Sequence, residues 1–360
     1  MEARELTNEQ PHRGVIPALT GLMRVPVREG HVAYLDGWRG ICILLVLIGH
    51  YVEPLRPFGR TGVEFFFVLS GSLMADLLVF KRQDIPHFLR RRVARVFPAL
   101  AVYVVLIGTA LNVSLAALGQ PLRLASPIAA LFYFHNYLPH DSVVQLFEHT
   151  WSLAVEEHSY LLLVGIILAA RRKPMLAATF ALALSALAVA NAYRLLAEPY
   201  SGGQWIFWRS DVRAASVLIS FAFCILFRRM NPDRLPGWFA VGAAVLSGIG
   251  MIESGNSPVQ FACCTVLAAL SVNSLAFSSR RNRVLLEAPI LVWFGTLSFS
   301  IYVWQQMFAV FAKSGWPPLP CFALTLVAAL ASFKLVENPA RDFLNSHWGV
   351  RRAPTPLAAG

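Results

Sequence analysis

The stretch RRRVARVFPALAVYVVLIGTALNVSLAAL, residues 90–118, places a basic segment directly before an uncharged apolar run. An apolar helix of about 20 residues matches the ~30 Å hydrocarbon core of a bilayer. Lys and Arg are enriched in the cytoplasmic loops of membrane proteins. The stretch therefore predicts a helix that enters a membrane from the cytoplasmic side.

The composition of the whole chain agrees with this prediction. Its 360 residues are 56% hydrophobic and 14% charged, whereas soluble domains contain about 25% charged residues. The net charge of +11 would suit a nucleic-acid-binding protein, but such proteins collect basic residues on one solvated face. Here the basic residues stand in short clusters between apolar runs. The composition excludes an ordinary soluble globule, and we expect no nucleic-acid partner.

Ten apolar runs are long enough to be membrane helices. They are residues 36–52, 62–80, 97–118, 152–170, 175–193, 214–227, 236–252, 259–277, 289–312 and 318–336. Ten crossings with both termini in the cytoplasm put every basic cluster on the cytoplasmic side. These clusters are Lys81–Arg95, Arg171–Lys173, Arg228–Arg234 and Arg280–Arg283. Counting Ser126–Leu138 as an eleventh crossing would separate the first two clusters, so we expect that segment not to span.

The predicted fold is an all-α polytopic membrane bundle without a second folded domain. We expect a polar cytoplasmic N-terminal segment at 1–32 with no removable signal peptide, a membrane domain at 33–343 and a cytoplasmic tail at 344–360. The five cysteines lie in apolar runs without metal-ligand spacing, which predicts buried thiols and neither a disulfide nor a metal site. They are Cys42, Cys224, Cys263, Cys264 and Cys321.

Ionisable residues stand inside the first crossing, where charge is costly and usually functional. His50 follows Arg39 by 11 positions, which on a helix brings both within roughly 20° of one face and about 16 Å apart along the axis. Asp36 is spaced to pair with Arg39. This spacing suits a long ligand that enters at Arg39 and reacts near His50. The alternatives are a membrane-boundary Arg39–Asp36 pair and an interfacial histidine with satisfied hydrogen bonds.

The second and third crossings carry further polar groups. In the second, glycines flank an aromatic run at Gly62–Gly71, where Ser70 can hydrogen-bond across helices. Glu64 in this run needs a partner, and Arg60 one turn earlier is a candidate. The segment Arg90–Arg95 is a signal for the cytoplasmic side, and its guanidinium groups also suit the phosphates of a cytosolic donor.

The fourth crossing begins with WSLAVEEHSY, residues 151–160. Carboxylates are favourable near a helix N-terminus, but two adjacent Glu and a His exceed what that position requires. They could orient a sugar hydroxyl or support a histidine base, and the sequence does not rank these two roles.

These residues together resemble the acyltransferase 3 family of integral membrane acyltransferases, in the stand-alone form that lacks the hydrolase-like domain of larger relatives. The family is typified by an Arg and a His spaced like Arg39 and His50. Its other motifs are similar, in order, to Gly62–Gly71, Arg92–Pro98, Trp151–Tyr160, Arg213, Phe294–Trp304 and Val336–Pro339. The chain departs from the family at Ser159, usually aromatic, and at Gln305, often His, which leaves acceptor specificity open.

The resemblance implies an enzyme of the bacterial cytoplasmic (inner) membrane that transfers an acyl group, usually acetyl from acetyl-CoA, to a carbohydrate hydroxyl. The expected partners are a carbohydrate or glycolipid acceptor and membrane lipids, with no metal. The predicted catalytic residues are His50, Arg39 and Glu156. The predicted donor-binding residues are Arg92, Arg95, Arg39 and Arg91. The predicted acceptor-binding residues are Glu157, Tyr160, Trp151, Ser70 and Tyr302.

Two other classes of protein would also carry intramembrane charge. A secondary transporter or glycan-lipid flippase lines its path with such residues, but these proteins often consist of two related halves, and the sequence has no evident repeat. A membrane sensor or scaffold has little use for buried charge. Whether His50 acts as a base or carries the acyl group, which glycan accepts it and how the protein oligomerises stay open at this stage.

Overall fold

The computed structural model describes residues 32–198, 203–230, 235–253, 257–279 and 283–348. Within these ranges the chain is helical and forms no strand, apart from one isolated bridge between Leu235 and Ser278. Nearly all of the predicted N-terminal segment, and the predicted tail beyond residue 348, lie outside the described residues.

The described α-helices include one over each of the ten predicted apolar runs and two short ones outside these runs. They are α1 (Ala33–Tyr51), α2 (Arg56–Met74), α3 (Ile85–Ala117), α4 (Ala125–Leu131), α5 (Thr150–Ala169), α6 (Pro174–Leu196), α7 (Ser210–Met230), α8 (Gly237–Glu253), α9 (Pro258–Ser274), α10 (Pro289–Lys313), α11 (Pro318–Ser332) and α12 (Asn338–His347). A π-helical turn, Ala75–Phe80, extends α2, and a second, Phe333–Glu337, joins α11 to α12.

Eight helical segments of the described chain are long and apolar enough to cross a membrane. They contain α1, α2, α3, α5, α6, α7, α9 and α11. Helix α8 has only 17 residues; α10 has 25 but carries the polar residues Gln305 and Gln306. The protein is therefore an all-helical integral membrane protein. The count of ten crossings and the side of the termini stay predictions.

The segment Ser126–Leu138 contains only a short helix. Helix α4 has seven residues, which corresponds to about 10 Å, and a single 3₁₀ turn, His135–Tyr137, follows it. A helix of this length is far shorter than the ~30 Å hydrocarbon core. This geometry supports the expectation that the segment does not span.

Helix α1 packs closely between α2 and α10. Glycines allow the close approach: a Cβ at Gly62 would lie 2.6 Å from the carbonyl oxygen of Cys42 on α1, and one at Gly295 would overlap the carbonyl of Asp36. The Trp38 ring lies 5.2 Å from the Phe65 ring. This packing fixes the rotation of α1 and therefore the direction in which its polar residues point.

Helices α2, α7 and α9 meet around a buried carboxylate. The Arg213 Nη2 atom lies 2.8 Å from Glu64 Oε2, and Ser216 and Thr265 donate hydrogen bonds of 3.1 and 2.6 Å to the same carboxylate. The expectation that Arg60 pairs with Glu64 is therefore wrong. The true partner comes from α7, because neighbouring helices bring together residues far apart in sequence.

Four of the five cysteines are buried, as expected, but Cys263 is exposed. Successive residues on an α-helix point about 100° apart, so Cys264 can face the core while Cys263 faces outward. All five are free thiols. Within the described residues no group of three or more His, Cys, Asp or Glu could hold a metal ion.

We expect Gly295→Ala to destabilise the protein, because its new methyl group would overlap the Asp36 carbonyl and force α1 and α10 apart. Overpacking of this kind costs about 1–3 kcal/mol, so the detergent-purified protein should unfold at a lower temperature. Gly165→Ala on α5 is the matched control, because its Cβ would meet nothing within 4 Å. Equal unfolding temperatures for the two variants would contradict the close helix contact.

We expect Arg213→Met to reduce stability by about 3–5 kcal/mol, because it leaves the Glu64 carboxylate buried without a counter-ion. The double variant Arg213→Met with Glu64→Gln should recover part of the loss, since the neutral amide can accept from one of the two hydroxyl groups and donate to the oxygen of the other. Thermal unfolding in detergent measures both. A double variant less stable than Arg213→Met would contradict the pairing.

Candidate active site

Arg39 and Asp36 form an ion pair in the first two turns of α1. The Arg39 Nη1 atom lies 2.7 Å from Asp36 Oδ1, and the two side chains are 17% and 4% exposed. The predicted pairing of these residues is confirmed. The pair holds the guanidinium group in a fixed place at a largely buried position.

His50 stands in the last turn of α1, with its Nδ1 atom 2.8 Å from the carbonyl oxygen of Val46. A carbonyl oxygen only accepts hydrogen bonds, so in this contact Nδ1 must carry the hydrogen. In the neutral ring the Nε2 atom is then an unprotonated acceptor. The helix therefore orients the imidazole and selects the tautomer that leaves Nε2 able to take a proton.

A cluster of paired charges joins α3 to α5. The Arg92 Nε atom lies 2.8 Å from Glu157 Oε1 and its Nη2 atom lies 3.3 Å from Glu156 Oε1. The same guanidinium group stacks 3.5 Å from the centre of the Tyr160 ring. Ser70 on α2 donates a 2.6 Å hydrogen bond to Glu156, and the Tyr160 hydroxyl donates another. Five residues predicted from three separate crossings thus meet in one place.

Arg95 lies one turn after Arg92 but has a different environment. It is half-buried and makes no ion pair or hydrogen bond with any described residue. Arg39, Arg92, Glu156 and Glu337 lie close enough to act on its charge. Arg95 is therefore a cation beside the cluster whose guanidinium donors are free, whereas the guanidinium group of Arg92 is already engaged. Arg91, the third predicted donor-binding arginine on α3, is exposed.

A second buried carboxylate, Glu337, completes this region. Ser300 on α10 donates a 2.8 Å hydrogen bond to it, and Arg341 on α12 lies 3.6 Å from it. Glu337 sits in the π-helical turn, a distortion often found at functional sites. In the sequence, Glu337 stands only in a closing motif with no predicted role, because its hydrogen-bond donor Ser300 lies on another helix.

Two predicted acceptor-binding residues lie outside the Arg92 cluster. The Trp151 ring stacks nearly parallel to Trp208, with centres 5.2 Å apart and planes 6° apart. The Tyr302 hydroxyl lies 2.5 Å from Ser152 Oγ and donates to the backbone carbonyl of His149 at 3.0 Å. The structure therefore divides the predicted site into a charged group near Arg39 and an aromatic group at the start of α5.

His149, which is buried directly before α5, has no counterpart among the predicted site residues. Its ring lies 5.5 Å from the Tyr103 ring and 5.6 Å from the Tyr302 ring. Burial lowers the pKa of His149 well below its usual value, and the neighbouring His135 and His50 lower it further. His149 is therefore a neutral imidazole near His50 at ordinary pH. The available signal was a histidine three residues before the first residue of a predicted crossing.

His135, in the turn after α4, is a second buried histidine near this end of α5. Its Nε2 atom lies 2.8 Å from Ser126 Oγ, and burial lowers its pKa to about 4. Unlike His149, it has a clear structural partner. Its hydrogen bond to Ser126 joins the two ends of the non-spanning segment.

The arrangement provides three chemical capacities in one helix bundle. An imidazole nitrogen of His50 can accept a proton, the guanidinium groups near Arg39 can hold an anion, and the carboxylates of α5 can orient polar groups. Each stands among apolar helices, where electrostatic interactions are stronger than in water.

Comparison with known proteins gives a consistent result. Residues 32–335 match the model of the acyltransferase 3 family, described as an acyltransferase domain. The chain is 26% identical to the O-acetyltransferase OatA of Staphylococcus aureus (strain NCTC 8325 / PS 47) over 85% of its length. It is 25% identical to the peptidoglycan O-acetyltransferase OatA of Listeria monocytogenes over 89% of its length. No solved structure matches the chain.

The matched region contains His50 and every residue of the Arg92 cluster, and it ends shortly before Glu337. The chain spans 57% and 58% of the lengths of these two relatives. The family model matches most of the chain, and the structure is a membrane bundle of helices with the predicted Arg39–Asp36 pair. The protein is therefore a member of the acyltransferase 3 family.

Proposed function

We propose that the protein is an O-acetyltransferase that moves an acetyl group from acetyl-CoA to a hydroxyl of a cell-surface or secreted carbohydrate. The observation that carries the proposal is the orientation of His50: its Nδ1 is hydrogen-bonded to the Val46 carbonyl, and its Nε2 has no hydrogen-bond partner among the described residues. The names of the relatives support the reaction type, and one of them is named for peptidoglycan. A lipopolysaccharide, an exopolysaccharide or a glycolipid presents the same hydroxyl chemistry.

The donor site of this proposal is the cationic group near the start of α1 and α3. Arg95, Arg91 and Arg39 would bind the phosphates of acetyl-CoA, because a guanidinium group can donate two parallel hydrogen bonds to phosphate oxygens. The basic clusters at helix ends favour entry from the cytoplasm. The pantetheine arm would then follow α1 for the ~16 Å between Arg39 and His50. This orientation, with both termini cytoplasmic in a bacterial inner membrane, is part of the proposal.

In the proposed reaction, His50 Nε2 takes the proton of the acceptor hydroxyl as the oxygen attacks the thioester carbonyl carbon. The carbon–sulfur bond then breaks, and the proton passes from His50 to the departing thiolate. Thioesters also react with water, so the apolar bundle around His50 must exclude it. The reaction leaves an ester, free coenzyme A and a neutral imidazole.

The carboxylates of α5 have a supporting part in this mechanism. Glu156 accepts from Ser70 and Tyr160 and pairs with Arg92. We assign Glu156 to the catalytic group because it orients this network beside the donor path. Glu157, Tyr160, Ser70, Trp151 and Tyr302 are the proposed acceptor contacts.

We expect His50→Ala to reduce acetyl transfer at least about 100-fold, because general-base catalysis contributes 10²–10⁴-fold. The assay follows radiolabelled acetyl from acetyl-CoA into envelope carbohydrate taken from a strain that lacks the protein. His347→Ala is the matched control: its Nδ1 lies 3.0 Å from the Phe343 carbonyl in the same local geometry, on an exposed helix end. Full transfer by His50→Ala would remove His50 from the role.

We expect Arg95→Gln to raise the KM for acetyl-CoA about 10- to 100-fold, the effect of losing a charge-assisted hydrogen bond, without changing the unfolding temperature. Arg92→Gln should instead lower the unfolding temperature, because Glu156 and Glu157 lose their counter-ion. Arg229→Gln, an exposed change on α7, is the control. The assignment of Arg95 to the donor site fails if its variant keeps the wild-type KM.

A further inference from the structure

A buried polar group that the proposed mechanism does not use lies where α10 meets the start of α5. His149 is only 3% exposed, and neither ring nitrogen makes a hydrogen bond within normal geometry to any described residue. A backbone group of Val303 on α10 lies close to the His149 ring. A single backbone group can at most engage one ring nitrogen, so the other is free to bind a ligand.

The adjacent turn of α10 carries more polar atoms in the same condition. The indole nitrogen of Trp304 and both amide atoms of Gln305 are buried without a hydrogen-bond partner among the described residues. Gln305 is 0% exposed. The Tyr103 ring lies against both His149 and Trp304. Its centre is 5.5 Å from the centre of the His149 ring and 5.4 Å from that of the Trp304 ring. His149 and Trp304 therefore share one local environment, and Gln305 is the next residue along α10.

Such a concentration is unusual, because more than about 90% of buried polar groups in native proteins have a partner. Each buried group left without one costs about 1–3 kcal/mol. Two polar side chains nearby each have one hydrogen bond: His135 Nε2 lies 2.8 Å from Ser126 Oγ, and the Gln306 amide nitrogen donates to the Gln145 carbonyl at 2.7 Å. Their second polar atoms, His135 Nδ1 and Gln306 Oε1, also lack a partner among the described residues. His149, Trp304 and Gln305 differ from His135 and Gln306 in that none of their side-chain polar atoms has a partner among the described residues.

The chemistry of these three side chains defines a ligand. A neutral imidazole, an indole N–H and a carboxamide offer donors and acceptors but no charge. A sugar ring offers hydroxyl groups that donate and accept, and it also carries no charge. An anionic group such as a phosphate would find no cation in this set. The group therefore suits the neutral acceptor rather than the phosphates of the donor.

We propose that His149, Trp304 and Gln305 bind the hydroxyl-bearing edge of the acceptor carbohydrate, with His149 holding a hydroxyl beside His50. The inference rests on the proposed function and deepens it by assigning the acceptor site. His50 lies close enough to His149 to act on its charge. Binding the acceptor satisfies the buried polar atoms, whereas an apolar compound leaves them unpartnered.

The test compares His149→Phe, His149→Gln and Gln305→Leu in the purified full-length protein. The carbohydrate probe is envelope glycan from a strain that lacks the protein, so it contains the unmodified natural acceptor. We expect His149→Phe and Gln305→Leu to raise the KM for this glycan about 10- to 100-fold, with acetyl-CoA binding unchanged. His149→Gln should lose less, because its amide still forms hydrogen bonds.

Tyr103→Phe is the matched control, because it removes a 2.6 Å hydrogen bond to the Leu146 carbonyl within the same cluster and no unpartnered atom. It should reduce stability while leaving the glycan KM unchanged. A rise in that KM as large as the rise in His149→Phe would overturn the proposal, and so would a wild-type KM in both His149→Phe and Gln305→Leu.

Direct binding separates this inference from the proposed function. The wild-type protein is titrated with the same glycan in the absence of acetyl-CoA. If it binds the glycan, and His149→Phe binds at least tenfold more weakly, the acceptor site stands even when no acetyl transfer is detected. Equal glycan binding by the two proteins, or none by the wild type, would overturn the acceptor site, whereas absent transfer alone would count against the O-acetyltransferase.

Discussion

The need to neutralise charge inside an apolar helix bundle determines the arrangement of this protein. An unpaired buried charge costs several kcal/mol, so most ionisable side chains on the helices have partners. Glu64 binds Arg213, and Arg92 binds Glu156 and Glu157. Against this background, Arg95 is distinctive because its guanidinium donors have no partner among the described residues. Pairing thus distinguishes groups that hold helices together from groups that are free to bind a ligand.

The two arginines on α3 illustrate this difference. Arg92 and Arg95 have the same chemistry and stand one turn apart, so a sequence motif gives them equal weight. Arg92 faces α5, where two carboxylates and the Tyr160 ring occupy its guanidinium group. Arg39 and Arg92 lie close enough to repel the charge of Arg95, although Glu156 and Glu337 also act on it with the opposite sign. An anionic donor would relieve that repulsion, which is why we assign phosphate binding to Arg95 and a mainly structural role to Arg92.

How far sequence alone could predict this structure depends on the distance between interacting residues. The apolar runs predicted the helices because hydrophobic length is a local property, and the Asp36–Arg39 pair followed from a spacing of three residues. The predicted partner of Glu64 was wrong because its true partner, Arg213, lies on a different helix. Only the packing of α2 against α7 brings the two residues together. His149 was missed for the same reason. Its surroundings are formed by residues of α10 that are distant in sequence, so its lack of a hydrogen-bond partner is visible only in the structure.

The position of the unpartnered group also bears on how a transferase could avoid hydrolysing its donor. Water is itself a hydroxyl compound, and a base that activates a sugar would activate water equally well. A site that needs several hydrogen bonds at once favours a polyhydroxylated ring over a single water molecule, because one water cannot reach all of the separated polar atoms. With His149 and Gln305 on that site and His50 beside it, discrimination against water would arise from the same buried atoms that bind the acceptor.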